Sequence, residues 1–135
     1  MPGAFSVGAV LHWEGFVFHD GESANKFLMV LGAKQGSDYL FVVATSQQHK
    51  REMTPGCNLT PSTYYFIQGG KKDFFPKDTW LILDEPYIFA AAKVVQAGLQ
   101  GQLTVRGNLR LDVANAARNC MKHSKDVAQV YLDLL

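Results

Sequence analysis

The stretch KFLMVLGAKQGSDYLFVVATS, residues 26–46, contains two apolar runs separated by a short polar segment. The run 26–33 is almost continuously apolar, which is typical of a strand that is buried on both faces, and the run 39–46 is its expected hairpin partner. Between them, residues 34–38 are rich in turn-forming residue types. The stretch therefore predicts a buried antiparallel hairpin, and the rest of the fold is expected to be built around it.

Further short strands are expected on both sides of this hairpin. Residues 6–13 and 15–18 are rich in aromatic and β-branched residues, and residues 62–68 alternate well enough for a half-buried strand. Residues 78–90 are also typical of a strand, but Pro86 should break it or place it at an edge. Short strands joined by turns predict a small barrel or a strongly curved sheet.

The periodicity becomes helical in the last part of the chain, about 108–135. Apolar residues recur there at helical spacing: Leu109, Val113, Ala116, Ala117 and Cys120. Asn108 is the expected N-cap of this helix, and Ser124 that of a second one. Residues 91–107 are ambiguous, and their glycines favour a loop with a short helical turn. The prediction is one mainly β (α+β) domain over residues 1–135, with one or two C-terminal helices.

Composition excludes several functional classes. The net charge of +1 over 135 residues does not indicate a strongly basic nucleic-acid binder, so a phosphate-bearing partner would need a local patch. No apolar run reaches the length of a membrane span, and the N-terminus lacks the basic region of a secretory signal. We therefore expect a cytoplasmic protein that does not contact a membrane, with Cys57 and Cys120 as free thiols.

Common cofactor and metal motifs are absent from the sequence. It contains neither GxxxxGK[ST] nor GxGxxG, which would cradle phosphates, and no GxSxG around a nucleophilic serine. It also lacks a Cys-x-x-Cys pair, and the spacing of Cys120 and His123 on a helix is more typical of a core cysteine and a helix-end histidine. We expect no metal and no cofactor.

The best candidate site follows the second strand of the hairpin. Its members are Thr45, Ser46, His49, Lys50 and Arg51. Hydroxyl groups at a strand end can donate hydrogen bonds to a phosphate, and cations can neutralise charge that develops on it. A histidine can move protons near neutral pH. The alternative interpretation is an ordinary polar loop that serves solubility alone.

Four segments in this order resemble a known family. They are GAV at 8–10, KFLMVLG at 26–32, VVATSQQ at 42–48 and KDTWLILDEPYIF at 77–89. The chain resembles the PemK/MazF (Kid-type) toxins, small plasmid-maintenance and growth-inhibitor proteins. The resemblance implies an SH3-like β-barrel with a C-terminal helix, usually a homodimer. It also implies metal-independent cleavage of single-stranded RNA by attack of the ribose 2′-OH on the adjacent phosphate, with an antitoxin peptide that blocks the RNA groove.

The resemblance also implies catalytic residues. The family's Thr/Ser role falls on Thr45 and Ser46, and the basic residue that opens the second strand falls on Lys26. Family members typically have Arg-Pro at that point, whereas this chain has Lys26 and Phe27. Lysine is a point charge that lacks the bidentate phosphate contact of arginine. The expected catalytic set is completed at the end of the hairpin by His49 and Arg51.

Other residues are expected to bind the RNA strand. Lys50, Lys71 and Lys72 would contact phosphates, and Tyr64 would stack on a base, helped by other aromatic residues: Tyr65, Phe66, Phe74, Phe75 and Trp80. The same rings could instead fill the interior of a small barrel. Two further functions stay open: a catalytically inactive barrel that binds a protein or peptide, and an unrelated β domain that binds a small ligand.

Overall fold

The structure is a computed structural model that describes residues 5–70 and 74–135. Its strands are β1 (Ala9–Val17), β2 (Ser23–Gly32), β3 (Tyr39–Thr45), β4 (Gly56–Asn58), β5 (Tyr64–Ile67), β6 (Thr79–Phe89) and β7 (Leu103–Asn108). Its helices are α1 (Ala91–Leu99), α2 (Leu111–Lys122) and α3 (Gln129–Leu132). The mainly β prediction is confirmed.

All seven strands form one antiparallel sheet in the order β4-β5-β6-β3-β2-β1-β7. Strands β4 and β7 lie at its two edges, so the sheet is open and not a closed barrel. The predicted hairpin is confirmed: β2 pairs with β3, with Phe27 opposite Ala44 and Met29 opposite Val42. The apolar end of β2, Leu28–Gly32, is completely buried, as continuous hydrophobicity predicts.

The two faces of the sheet carry separate cores. On one face the sheet packs against α2, and this core includes Met29, Val42, Leu81, Ala117 and Met121. On the other face it packs against α1, and that core includes Leu11, Leu28, Phe41, Val94 and Ala97. Successive residues of a strand point to opposite faces, whereas residues paired across two strands point to the same face. The pairing partner of a residue therefore shows to which core it belongs.

Residues 91–107 differ from the prediction of a loop. They form α1 and most of β7, which pairs with β1 along its length, for example Thr104 with His12. This strand is stabilised by a partner about ninety residues earlier in the chain, which local composition does not reveal. Gly101 lies in the turn between the helix and the strand with a φ of +77°, a conformation that favours glycine.

Pro86 does not end β6, which continues from Thr79 to Phe89. The pairing of β6 with β5 is limited to residues 79–82, and its register with β3 shifts between Ile82 and Tyr87. Pro86 lies in that irregular part, where no backbone N–H is required for pairing between strands, so proline is tolerated there.

The prediction of free thiols is wrong, because Cys57 and Cys120 form a disulfide. Their Cα atoms are 5.4 Å apart although 63 residues separate them in sequence, and the bond joins edge strand β4 to α2. The sequence predicts neither β4 nor its position beside α2. Without that contact, the large separation of the two cysteines in the chain favours free thiols.

The C-terminal helices begin later than predicted. The N-cap of α2 is Arg110, not Asn108, and α3 follows Ala128, not Ser124. The buried hydroxyl group of Ser124 instead forms a 2.6 Å hydrogen bond with Thr63 Oγ1. Within the described ranges, no helix combines the length and apolarity that a membrane crossing requires.

Candidate functional site

A pocket of about 450 Å³ opens beside the ends of β2, β3 and β6. We call it the Phe27 pocket; its described lining is Asn25, Lys26, Phe27, Ala44, Thr45, Ser46, Gln47, Phe74, Phe75, Pro76, Lys77 and Thr79. The structure thus brings Lys26, Thr45 and Ser46, three of the predicted site residues, to one cavity.

The side chains of Phe27 and Lys26 lie on opposite faces of the sheet. Phe27 pairs with Ala44, which belongs to the core under α2. Lys26 pairs with Trp13, which belongs to the core under α1, and its Nζ lies 6.0 Å from the ring centroid of Phe18 on that side. Lys26 and Phe27 both line the pocket, but the Lys26 ammonium group that the resemblance assigned to the site lies on the far face.

The two hydroxyl groups also differ. Thr45 is buried and pairs with Trp80, and its Oγ1 accepts a hydrogen bond of 3.1 Å from the backbone N–H of Gln47. Ser46 is exposed at the end of the strand. The Ser46 hydroxyl is therefore the more accessible of the two to a ligand.

Aromatic rings form the apolar part of the pocket. The ring centroid of Phe27 lies 6.1 Å from that of Phe74 and 6.5 Å from that of Phe75, and the last two are 5.0 Å apart. Phe75 is buried in the core, whereas Phe27 is 36% exposed. Phe74 and Phe75 are among the rings that the sequence predicts for stacking, whereas Phe27 is not, because it lies in an apolar run that predicts a buried strand.

The cations of the loop after β3 do not line the pocket. His49 and Lys50 form a turn with φ values of +44° and +66°. The guanidinium of Arg51 donates to the backbone carbonyls of Gln47 and Gln48, at 3.2 and 3.3 Å. His49 Nε2 lies 2.8 Å from the side-chain Oε1 of Gln47, which does line the pocket. His49 is thus linked to the rim through one intervening side chain.

Tyr64, one of the residues predicted to contact RNA, is buried and supports the fold. Only 1% of its surface is exposed, and its hydroxyl accepts a 2.7 Å hydrogen bond from the backbone N–H of Glu52. Trp80 Nε1 donates to the Glu52 carbonyl at 2.9 Å. Both rings hold the loop after β3 in place, and the burial of Tyr64 removes it from any exposed stacking surface. Lys71 and Lys72 lie outside the described residues.

A smaller cavity of about 170 Å³ lies near the start of α2 and is lined in part by Tyr65 and Arg110. Burial raises the pKa of the Tyr65 hydroxyl above 10.0, and the carboxylate of Asp112 raises it further. The pKa of Asp112 is itself lowered, chiefly by a hydrogen bond from the Arg110 guanidinium. Arg110 and Asp112 lie at the N-terminal end of α2 and do not line the Phe27 pocket.

The Phe27 pocket offers three kinds of contact. Aromatic faces can stack on a planar group, and the polar side chains of Ser46 and Gln47 can form hydrogen bonds. Lys77 is exposed at the rim and can contact an anionic group. Among the described residues, His, Cys, Asp and Glu side chains form no group of three or more that could hold a metal.

Comparison with models of known protein families and with curated proteins finds no match to this chain. The likeness to PemK/MazF toxins therefore rests on the short motifs around the hairpin and on residues 77–89. Membership of that family stays a prediction.

Proposed function

We propose that the protein binds single-stranded RNA and holds one unpaired nucleotide in the Phe27 pocket. The observation that carries the proposal is that one pocket is lined by an exposed aromatic ring, Phe27, and by two exposed polar residues, Ser46 and Lys77. Unpaired bases are commonly bound by stacking on aromatic side chains while cations contact the neighbouring phosphates.

The size of the pocket supports this assignment. Its volume of about 450 Å³ falls within the range of roughly 300–1,000 Å³ that is usual for small-ligand sites. A base would lie against Phe27 and Phe74, and the sugar and phosphate would reach Ser46, Gln47 and Lys77 at the rim. The pocket is apolar inside and polar at the rim, as such a ligand requires.

The wider proposal is a toxin-like protein of the PemK/MazF kind, with an SH3-like architecture, a homodimeric assembly and an antitoxin peptide as partner. Its support is the order of the sequence motifs, together with an antiparallel sheet that is followed by α2. The net charge of +1 implies that RNA affinity comes from local contacts and not from a strong overall field.

RNA cleavage is a second candidate, favoured by the position of His49 beside Gln47, a residue of the pocket lining. The Gln47 Oε1 atom is an acceptor, so His49 Nε2 donates to it, and Nδ1 is the ring nitrogen that would accept the proton of a ribose 2′-OH as that oxygen attacks the adjacent phosphate. Against it stands the position of Lys26, whose ammonium lies over Phe18 and not beside the hydroxyls. Cleavage would leave a 2′,3′-cyclic phosphate and a 5′-OH, which identifies this route.

The test is fluorescence anisotropy with short labelled single-stranded RNA at low and high salt. We expect salt-sensitive binding by the natural protein and binding weakened by about tenfold in Phe27→Leu, because stacking contributes about 1–3 kcal/mol per base. Leu99→Ala is the control, since Leu99 is 84% exposed on α1 and remote from the pocket.

Absence of salt-sensitive RNA binding would overturn the proposal. Selection of a peptide that binds the Phe27 pocket would then support the alternative of a protein- or peptide-binding module. Gel analysis of the same RNA after incubation decides between binding alone and cleavage, and slowed growth on expression would support the toxin role.

A further inference from the structure

The two sulfur atoms of the disulfide lie in different surroundings. Cys57 is an exposed residue on β4, whereas Cys120 is only 2% exposed and belongs to the core under α2. The Sγ of Cys120 also approaches the Tyr64 carbonyl oxygen at 4.0 Å. A thiol that arrives from solvent therefore reaches the bond from the Cys57 side.

Strand β4 has few other attachments among the described residues. It is three residues long and pairs with β5 alone, with Cys57 opposite Tyr65. Two polar contacts of Asn58 stay within the same segment, because its Nδ2 donates to the carbonyls of Thr54 and Gly56. The disulfide is the covalent attachment of this edge to the helix.

We propose that Cys57 is a site of reversible modification by small thiols such as glutathione, independent of the RNA-binding proposal. The chain has two cysteines, Cys57 and Cys120, and they form one disulfide. Exchange with a small thiol therefore acts on that bond. The exposed half accepts the incoming thiol, and the buried half becomes a thiol that is held close to it.

The exchange is balanced without a further reactant. A thiolate attacks Cys57 Sγ, a new S–S bond forms there, and the bond to Cys120 breaks with its electron pair on Cys120 Sγ. The departing thiolate takes up a proton from water and becomes a thiol. Once that proton is lost again, the Cys120 thiolate attacks Cys57 Sγ of the mixed disulfide, which re-forms the original bond and releases the small thiolate, to be protonated in turn.

Modification has a structural consequence at one edge of the sheet. With the link to α2 opened, β4 is held by its short pairing with β5, and the adduct must be accommodated at the surface. The core under α2 keeps Cys120, now as a thiol among Ala117, Met121 and their neighbours. We expect β4 to open locally while α2 stays in place.

The experiment uses the oxidised protein incubated with millimolar reduced glutathione under native conditions and then quenched with acid. Mass spectrometry of the peptides should find glutathione on Cys57 and a free thiol at Cys120, with little adduct on Cys120. Amide hydrogen exchange should rise in residues 56–58 and in the paired part of β5, and stay unchanged in α2.

The double variant Cys57→Ser/Cys120→Ser is the control and should show no adduct and no change on addition of glutathione. Three results would overturn the proposal: an adduct on Cys120 in equal or greater yield, reaction only after denaturation, or two free thiols in protein treated with an oxidant such as diamide. Since the measurement needs no RNA, failure of the RNA-binding proposal leaves its outcome unaffected.

Discussion

The ring of Phe74 lies directly on Gly107, where a β carbon would come within 2.6 Å of ring atom Cδ1. Gly107 belongs to β7, and Phe74 forms a wall of the Phe27 pocket. The position of that wall therefore depends on the absence of a side chain in a strand that does not itself line the pocket.

Gly107→Ala should displace the Phe74 ring and weaken RNA binding by roughly tenfold, the effect of losing one stacking surface. Gly98→Ala is the matched control, because the nearest atom to its added carbon is the Leu103 carbonyl oxygen at 3.9 Å. This control lies in α1 and should keep affinity while gaining up to about 1 kcal/mol of stability. Anisotropy and thermal unfolding measure both effects, and unchanged affinity in Gly107→Ala would contradict the arrangement.

Lys77→Ala should lower RNA affinity at low salt and reduce the slope of log affinity against log salt by about 0.7, the value for one phosphate of a single strand. Lys93→Ala should leave the slope unchanged, because Lys93 lies on α1 with its Nζ 5.1 Å from the ring centroid of Phe89, on the other face of the sheet. Equal slopes for the two variants would show that Lys77 does not contact phosphate.

Loss of the disulfide should reduce the free energy of unfolding. For a link across 63 residues, the loop-closure entropy that is restored to the unfolded chain corresponds to about 4 kcal/mol, which is an upper value in practice. Urea unfolding of Cys57→Ser/Cys120→Ser measures the loss. Reductant should destabilise the natural protein by a similar amount and leave the double variant unaffected; an unchanged midpoint would refute the prediction.

Alkaline pH should destabilise the protein through Tyr65 and Tyr87, whose pKa values burial raises above 10.0. In the unfolded chain these hydroxyls lose their protons near pH 10.0, whereas in the folded chain they keep them to higher pH. The free energy of unfolding should therefore fall as the pH rises above about 10.

Tyr65→Phe should make this fall shallower, since the remaining dependence then belongs to Tyr87. Urea unfolding at a series of pH values from 8 to 11 checks the prediction. A curve for the natural protein that stays level across this range would argue against it.

The parts of the fold that sequence predicted well are those formed by neighbours along the chain. The β2–β3 hairpin follows from two apolar runs and a turn, and α2 follows from its helical periodicity. The parts that were missed depend on distant partners: β7 on β1, and Cys57 on Cys120. Propensity is weak at such places, and pairing within the folded chain decides the structure.

The candidate site shows the same limit. The sequence predicts the Thr45–Ser46 end of β3 as part of a site, and both residues line the larger of the two cavities described above. The face on which Lys26 lies was not predictable, because the apolar run that follows it shows no alternation of polar and apolar residues that would orient the strand. Phe27 was overlooked for the same reason.

The strand order has a consequence for the rate at which the protein folds. Strands β1, β2 and β3 are neighbours in both sequence and sheet, whereas β6 must return to β3 and β7 to β1 after long intervening segments. Non-local pairing of this kind is associated with folding times of milliseconds to seconds. The pocket wall formed by Phe74 rests on Gly107, so a newly made chain should acquire its binding capacity only when β7 has paired with β1.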